Sequence, residues 1–232
     1  MSSKYKFAGK ETPPPRTLSV HFPPAPLDAN LASVIAYGGP GSWKREAFWD
    51  EYVVELRNTG DQPLEIGSAT LVDFAGTSRS AGDDPWALER ESKTLEKKYR
   101  DAGIAFARVA APRVLVTTAE PVLVSSAGLG AAGAAAAATV TAVALPVYGL
   151  ATLGRNRHYK AAIKAEFNRR RLPLPLSLAP GETRTGSLFF PMVPNPRSLN
   201  LDWSNESGKH DSALALDFLR GLHVTAAPGD AQ

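Results

Sequence analysis

Between Pro121 and Gly154 the chain runs 34 residues without a charged side chain. Basic residues flank that run: Arg108 and Arg113 before it, and Arg155, Arg157, Lys160, Lys164 and Arg169, Arg170 and Arg171 after it. Within it, Ser126, Gly130, Ala134, Ala138 and Ala142 recur every four residues and are all small. On a helix these positions share one face, and a face without side-chain bulk lets a second backbone approach closely. Leu129, Val140, Val143, Leu145, Val147 and Leu150 carry the bulk elsewhere. The spacing therefore predicts a glycine-zipper-like helix contact, in lipid or in a tight oligomer.

A single membrane pass needs about 20 residues, so the run is long for one span. The segment from about Gly130 to Leu153 fits one pass, kinked at Pro146, and the expected return partner is Ile104–Val124. Together they make a helical hairpin whose basic ends lie on one side, next to an anionic leaflet. A purely soluble hairpin packed on the rest of the protein is the competing expectation, because Ala and Gly gain little from lipid. Gly128, Gly130 and Gly133 also match G-x-G-x-x-G. However, no acidic residue lies between Glu120 and Glu166 to hold a ribose, so nucleotide binding is disfavoured.

Charge divides the chain in the same way. Asp84–Leu172 holds 14 Lys and Arg against 7 Asp and Glu, while the remainder has 12 against 16. A basic segment in a mildly acidic protein points to an anionic partner, phospholipid before nucleic acid. The chain has no cysteine, which excludes disulfides, thiolate metal sites and cysteine nucleophiles. No apolar stretch follows Lys4, Lys6 and Lys10, so no signal peptide is expected. Residues 1–15, ending in Pro13, Pro14 and Pro15, read as an extended tether, and residues 227–232 as a tail.

Two blocks of short strand signals bracket the basic segment. Thr17–Phe22, Ala32–Tyr37, Glu51–Arg57 and Leu64–Asp73 form the first. Leu174–Leu178, Thr185–Phe190, Leu199–Trp203, Ala213–Leu219 and Leu222–Thr225 form the second. Nineteen Gly and nineteen Pro supply turn residues such as Asn58–Asp61 and Pro180–Glu182. The expected fold is mainly β with a helical insertion: an antiparallel β-sandwich built from 16–80 plus 173–226 and interrupted at 81–172. The insertion opens on Asp83-Asp84-Pro85, which supplies an N-cap carboxylate and a proline at the first helical position. Leu88, Leu95, Tyr99, Ala102 and Phe106 then form an apolar stripe, with Glu89/Lys93 and Glu96/Arg100 as i,i+4 pairs. A second, basic helix is expected from Arg155 to about Arg170.

Candidate chemistry is sparse. His21, His158, His210 and His223 are scattered, and no nucleophile elbow, metalloprotease or phosphate-loop motif occurs. Asp73, Asp83, Asp84 and Asp202 carry no pairing signal. Trp43, Trp49, Trp86 and Trp203 read as core or interface anchors. The expectation is a non-enzymatic chain without catalytic, metal or cofactor residues, with no nucleic acid and no small-molecule substrate.

Tyr52–Gly60 with Pro63–Ile66, and Leu178–Glu182 with Gly186–Pro191, resemble the strand pairs of bacterial immunoglobulin-like accessory domains. The whole arrangement is similar to Gram-negative envelope lipoproteins that carry a glycine-zipper-like insertion. This chain lacks their lipobox cysteine. The resemblance implies an immunoglobulin-like sandwich, a bacterial cell-envelope location (periplasmic or outer-membrane associated) and a structural or assembly role. A cytoplasmic location follows instead if Met1 is the native start. The small-residue face would make the helix contact, in a homo-oligomer or envelope assembly. The basic set from Arg155 to Arg171 would meet headgroups or an acidic partner. A soluble scaffold or chaperone-like domain is the alternative.

Overall fold

Along Asp50–Asn58, Tyr52, Val54 and Leu56 are fully buried, whereas Glu55 and Arg57 are exposed, the period-two signature of a strand with one face in a core. A computed structural model describes residues 20–21, 26–36, 38, 42–44, 47–104, 106, 114–115 and 155–224. Among these the elements are β1 (Val20–His21), β2 (Leu27–Ile35), β3 (Asp50–Asn58), β4 (Leu64–Val72), β5 (Ser78–Ser80), α1 (Pro85–Asp101), β6 (Val114–Leu115), α2 (Arg155–Arg170), β7 (Leu176–Leu178), β8 (Thr183–Phe190), β9 (Ser198–Asn205) and β10 (Gly208–Ala215).

The strands form two antiparallel sheets. One runs β1-β2-β3-β8, with β6 also on β2; the other runs β10-β9-β4-β5, with β7 also on β4. Leu31, Val54 and Phe190 of the first sheet and Ile66, Leu201 and Leu214 of the second join one buried cluster. The arrangement is sandwich-like and mainly β, and both sequence blocks contribute to its core.

Turn chemistry fixes one end. Asn58 donates its side-chain amide to the Gln62 and Leu178 carbonyls, and its Oδ1 accepts from the Gly60 amide. At the turn after β7, Gly181 takes φ +75°, a conformation that glycine adopts without strain. The turn between β9 and β10 lies at this same end, since Ser204 of β9 pairs with Glu65 near the start of β4.

α1 begins where expected. Asp84 Oδ2 accepts from the Ala87 amide at 3.0 Å, and Pro85 occupies the first turn. Both i,i+4 pairs form, Glu89–Lys93 and Glu96–Arg100. The stripe stops earlier than expected, because Gly103 at φ +77° ends the helix. There Ile104 N–H donates to Tyr99 O and Gly103 N–H to Arg100 O, a Schellman motif. Ala102 is consequently exposed, and Phe106 leaves the helix to bridge Val224.

Other boundaries shift for physical reasons. β2 starts at Leu27 rather than Ala32, directly after the prolines, since Leu27, Ala29 and Leu31 already alternate with Asp28 and Asn30. The expected strand Ala213–Leu219 is displaced to β10, and Asp217–Leu219 forms a 3-10 turn. Leu222–Thr225 contributes a single bridge, at Val224. The expected returning helix over Ile104–Val124 is interrupted by β6, where Val114 and Leu115 pair with Ile35 and Val34. The segment 121–154 lies outside the described residues.

Candidate functional site

The additions to the sandwich gather at the end opposite those turns, where β3 begins and β2 and β8 end. α1 lies across this end. Leu88 packs near Phe189 of the first sheet, whereas Leu95 and Tyr99 enter the main core. Tyr99 Oη donates to Asp73 Oδ2 at 2.5 Å, just beyond the end of β4, and Asp73 Oδ1 accepts from the Ala75 and Thr77 amides. Burial, together with that hydrogen bond, pushes the Tyr99 hydroxyl well up from its ordinary value.

Asp50 and Glu51 open β3 at this end, both fully buried and on opposite faces of the sheet. Glu51 faces the covering layer. It accepts from Trp43 Nε1 at 3.0 Å and Ser187 Oγ at 2.7 Å, and Arg170 Nη1 lies 3.4 Å away. Asp50 faces the sandwich core, where its Oδ2 lies 2.8 Å from His223 Nε2, both side chains fully enclosed. His223 holds φ +58°, a costly conformation for a non-glycine residue, and its ring stacks on Phe106 at 5.8 Å. Asp50 Oδ1 and the hydroxyl of Tyr52, two residues along the same face, have no hydrogen-bond partner among the described residues. Burial and then the Asp50 charge hold the Tyr52 hydroxyl well above its usual value.

Lys44 completes the charge cluster. It is fully buried and donates its ammonium to the Trp49 carbonyl. Desolvation lowers its pKa from 10.5 to about 8, against the attraction of Asp50 and Glu51.

α2 covers the outer face of the first sheet at the same end. Ile163 and Phe167 are fully buried, and Phe167 stacks on Phe189 at 4.0 Å and meets Trp49 edge-on at 5.9 Å. Followed backward, the helix passes from Leu172, bonded to Ser187, through Arg170 at Glu51, to Lys160 at Trp86. Its N-terminus therefore lies toward the end where β3 begins.

This packing places the expected basic set unevenly. Arg155 and Arg157 lie in the first turn of α2. Lys160 is exposed, with its ammonium 4.9 Å from the Trp86 ring centre. Lys164 is exposed and reaches Asp84 Oδ1 at 3.3 Å, and Arg169 is exposed and bonded to Glu166. Those bonds to Arg169 and Arg170 hold the Glu166 carboxyl below its ordinary value, against the opposing effect of burial. Arg170 instead turns inward onto Glu51, its guanidinium 5.1 Å from the Trp43 ring centre. Arg171 bridges Ser187. The expected helix-contact set Ser126, Gly130, Ala134, Ala138 and Ala142 lies outside the described residues.

The other sequence candidates do not converge. Asp84 caps α1, Asp202 accepts from Ser68, Asp83 is exposed, and His210 stacks on Trp203 at 4.3 Å. Among the described residues no three His, Asp or Glu side chains form a metal-binding group. No described helix is long and apolar enough to cross a membrane. The cluster built on Lys44, Asp50, Glu51 and His223 escaped the sequence reading. Its one sequence signal was a charge at Asp50, in phase with the buried Tyr52, Val54 and Leu56. Enclosed on all sides, these groups are placed to hold α2 and the 216–224 strap against the sheet. Compared with protein-family models, with curated proteins and with solved structures, the chain matches none.

Proposed function

We propose that this chain is a non-enzymatic structural protein of the bacterial cell envelope. Its sandwich serves as the rigid interaction module, and its insertion serves as an anchor in a membrane or an oligomeric assembly. One observation carries the reading. The uncharged stretch is tethered at both ends to one end of the same domain, at β6 on the rung of Val34 and Ile35 and at α2, clamped over Glu51. A segment held this way must leave and return. Residues 116–154 number 39, close to the length of two passes of about 20 residues each.

The sandwich itself is read as immunoglobulin-like. β2, β3 and β8 follow the order A-B-E, and β10, β9 and β4 the order G-F-C, with the insertion between C and E. Engineered cysteine pairs test this order cleanly in a cysteine-free chain. Glu55→Cys with Thr185→Cys should form a disulfide between B and E, and failure to cross-link speaks against the assignment.

Fractionation with a carbonate wash tests the anchor. Full-length protein should remain in the membrane pellet, and a version lacking 116–154 should become a soluble, well-behaved monomer. Soluble, monodisperse full-length protein would overturn the membrane reading. The pairing of β6 with β2 and of Phe106 with Val224 favours a second reading, a scaffold whose insertion packs on the sandwich. That version predicts aggregation of the deletion through newly exposed apolar surface.

A further inference from the structure

We propose that the end of the sandwich bearing α1 seats flat on an anionic phospholipid bilayer, with Trp86 at the headgroup level. This rests on the reading of the insertion as a lipid anchor and adds the surface that meets the membrane around it. α1 buries Leu88, Ser92, Leu95 and Tyr99 against the sandwich, so its opposite face points away from that end. On that face Arg90, Lys93 and Lys97 are exposed at i, i+3 and i+7, one stripe along the helix. Lys160 and Lys164 of α2 are exposed beside the N-terminus of α1, where they meet Trp86 and Asp84.

Trp86 is half-buried, with its ring edge-on to Trp49 at 6.1 Å and the Lys160 ammonium over it. An indole held between an apolar layer and a lysine matches the chemistry of the membrane interface, with its apolar ring and polar N–H at the boundary. Lysines and arginines on long stems reach phosphates while the helix lies in the plane. Glu91 and Glu96 lie on the flanks of α1, paired with Arg79 and Arg100, Lys93 is paired with Glu89, and exposed Asp101 ends the outward face. Arg90 and Lys97 therefore carry the positive charge of that face, together with Lys160 and Lys164 of α2.

The experiment uses the full chain and tryptophan quenching by brominated acyl chains. Vesicles are mixed phosphatidylethanolamine and phosphatidylglycerol, compared with pure phosphatidylcholine. Trp43, Trp49 and Trp203 are at most 5% exposed, so Trp86 is the tryptophan within reach of the quencher. The proposal expects co-flotation, quenching of the wild type and loss of that quenching in W86F. R90Q/K97Q should lower partition onto the anionic vesicles roughly 30-fold, with little change on phosphatidylcholine. Flotation with equal quenching in wild type and W86F overturns the seating and leaves the anchor standing. Flotation that is indifferent to R90Q/K97Q and to anionic lipid also overturns it. Absence of flotation with any vesicle overturns the lipid anchor, and the seating falls with it.

Discussion

Replacing Lys44 by methionine should stabilise the protein, although it removes a cation lying close to two carboxylates. Lys44 is fully buried, and its pKa falls from 10.5 to about 8 even with Asp50 and Glu51 nearby. At about 1.36 kcal/mol per pH unit, that gap makes the buried ammonium costly by about 3 kcal/mol at neutral pH. Methionine fills a similar length without the charge. The Trp49 carbonyl loses its donor, at a cost of about 1–2 kcal/mol. The net expectation for K44M is a gain of about 1–2 kcal/mol, or about 3–6 °C in Tm. The pH dependence is a second signature. Between pH 8 and 10 the unfolded lysine holds its proton and the folded one releases it, so wild-type stability should rise with pH. Above about pH 10 the buried Tyr52 and Tyr99, whose hydroxyls resist ionisation in the folded state, oppose that rise. Urea denaturation of both proteins at pH 7, 8, 9 and 10 measures this. A K44M protein destabilised by more than about 1 kcal/mol, or one sharing the wild-type slope above pH 8, refutes the reasoning.

His223→Ala should cost about 2–3 kcal/mol, because Asp50 keeps its burial and loses its partner; limited proteolysis should then cut the 216–224 strap earlier than in wild type. Asp84→Ala should cost about 1 kcal/mol through the lost cap, seen as a lower denaturation midpoint with an unchanged m-value. Gly186→Ala should destabilise by about 1–3 kcal/mol in thermal unfolding, since its Cβ would stand 2.9 Å from Leu172 Cβ and 3.1 Å from Leu172 Cα. A neutral G186A would mean that the chain after α2 shifts freely.

Local chemistry made the strand cores, the turns and the start of α1 readable. Val54 and Leu56 alternate with Glu55 and Arg57, and Asp84-Pro85 announces a cap. What escaped depends on contacts distant in sequence. The end of α1 was legible at Gly103 and was overridden by a stripe that ran on to Phe106, whose ring lies beyond the helix between Tyr99 and His223, stacked on both. β6 comprises two residues whose strand character comes from the edge of β2 rather than from their own pattern. The pairings of Glu51 with Ser187 and of Asp50 with His223 join residues far apart in the chain. The basic run after Gly154 was visible as charge, but not that Arg170 points into the protein while Lys160 and Lys164 point out. That follows only once Ile163 and Phe167 fix which face of α2 meets the sheet.

The buried pair of Arg170 and Glu51 is a poor source of stability, because removing two charges from water costs several kcal/mol per ion before attraction returns any of it. Its contribution is better sought in position. Two large apolar side chains, Ile163 and Phe167, hold α2 on the sheet, and they alone would tolerate a slide along the aromatic surface of Trp49 and Phe189. The guanidinium selects one turn of the helix, because Glu51 Oε1 is already oriented by Ser187. The hypothesis separates from a purely energetic role through a double substitution. Arg170→Ala alone takes the guanidinium from buried Glu51, which keeps Trp43, Ser187 and the nearby Lys44, and should cost about 1–3 kcal/mol. E51Q/R170M removes both charges and keeps an acceptor for Trp43, so its stability should stay within about 1 kcal/mol of wild type. The double variant should nevertheless lose the unique seating of α2. Spin labels at Asn168 and on the exposed face of β4 would then report a broadened distance distribution, where the wild type gives one narrow peak. A single narrow peak in E51Q/R170M would show that the apolar contacts set the register and that the ion pair has no positioning role.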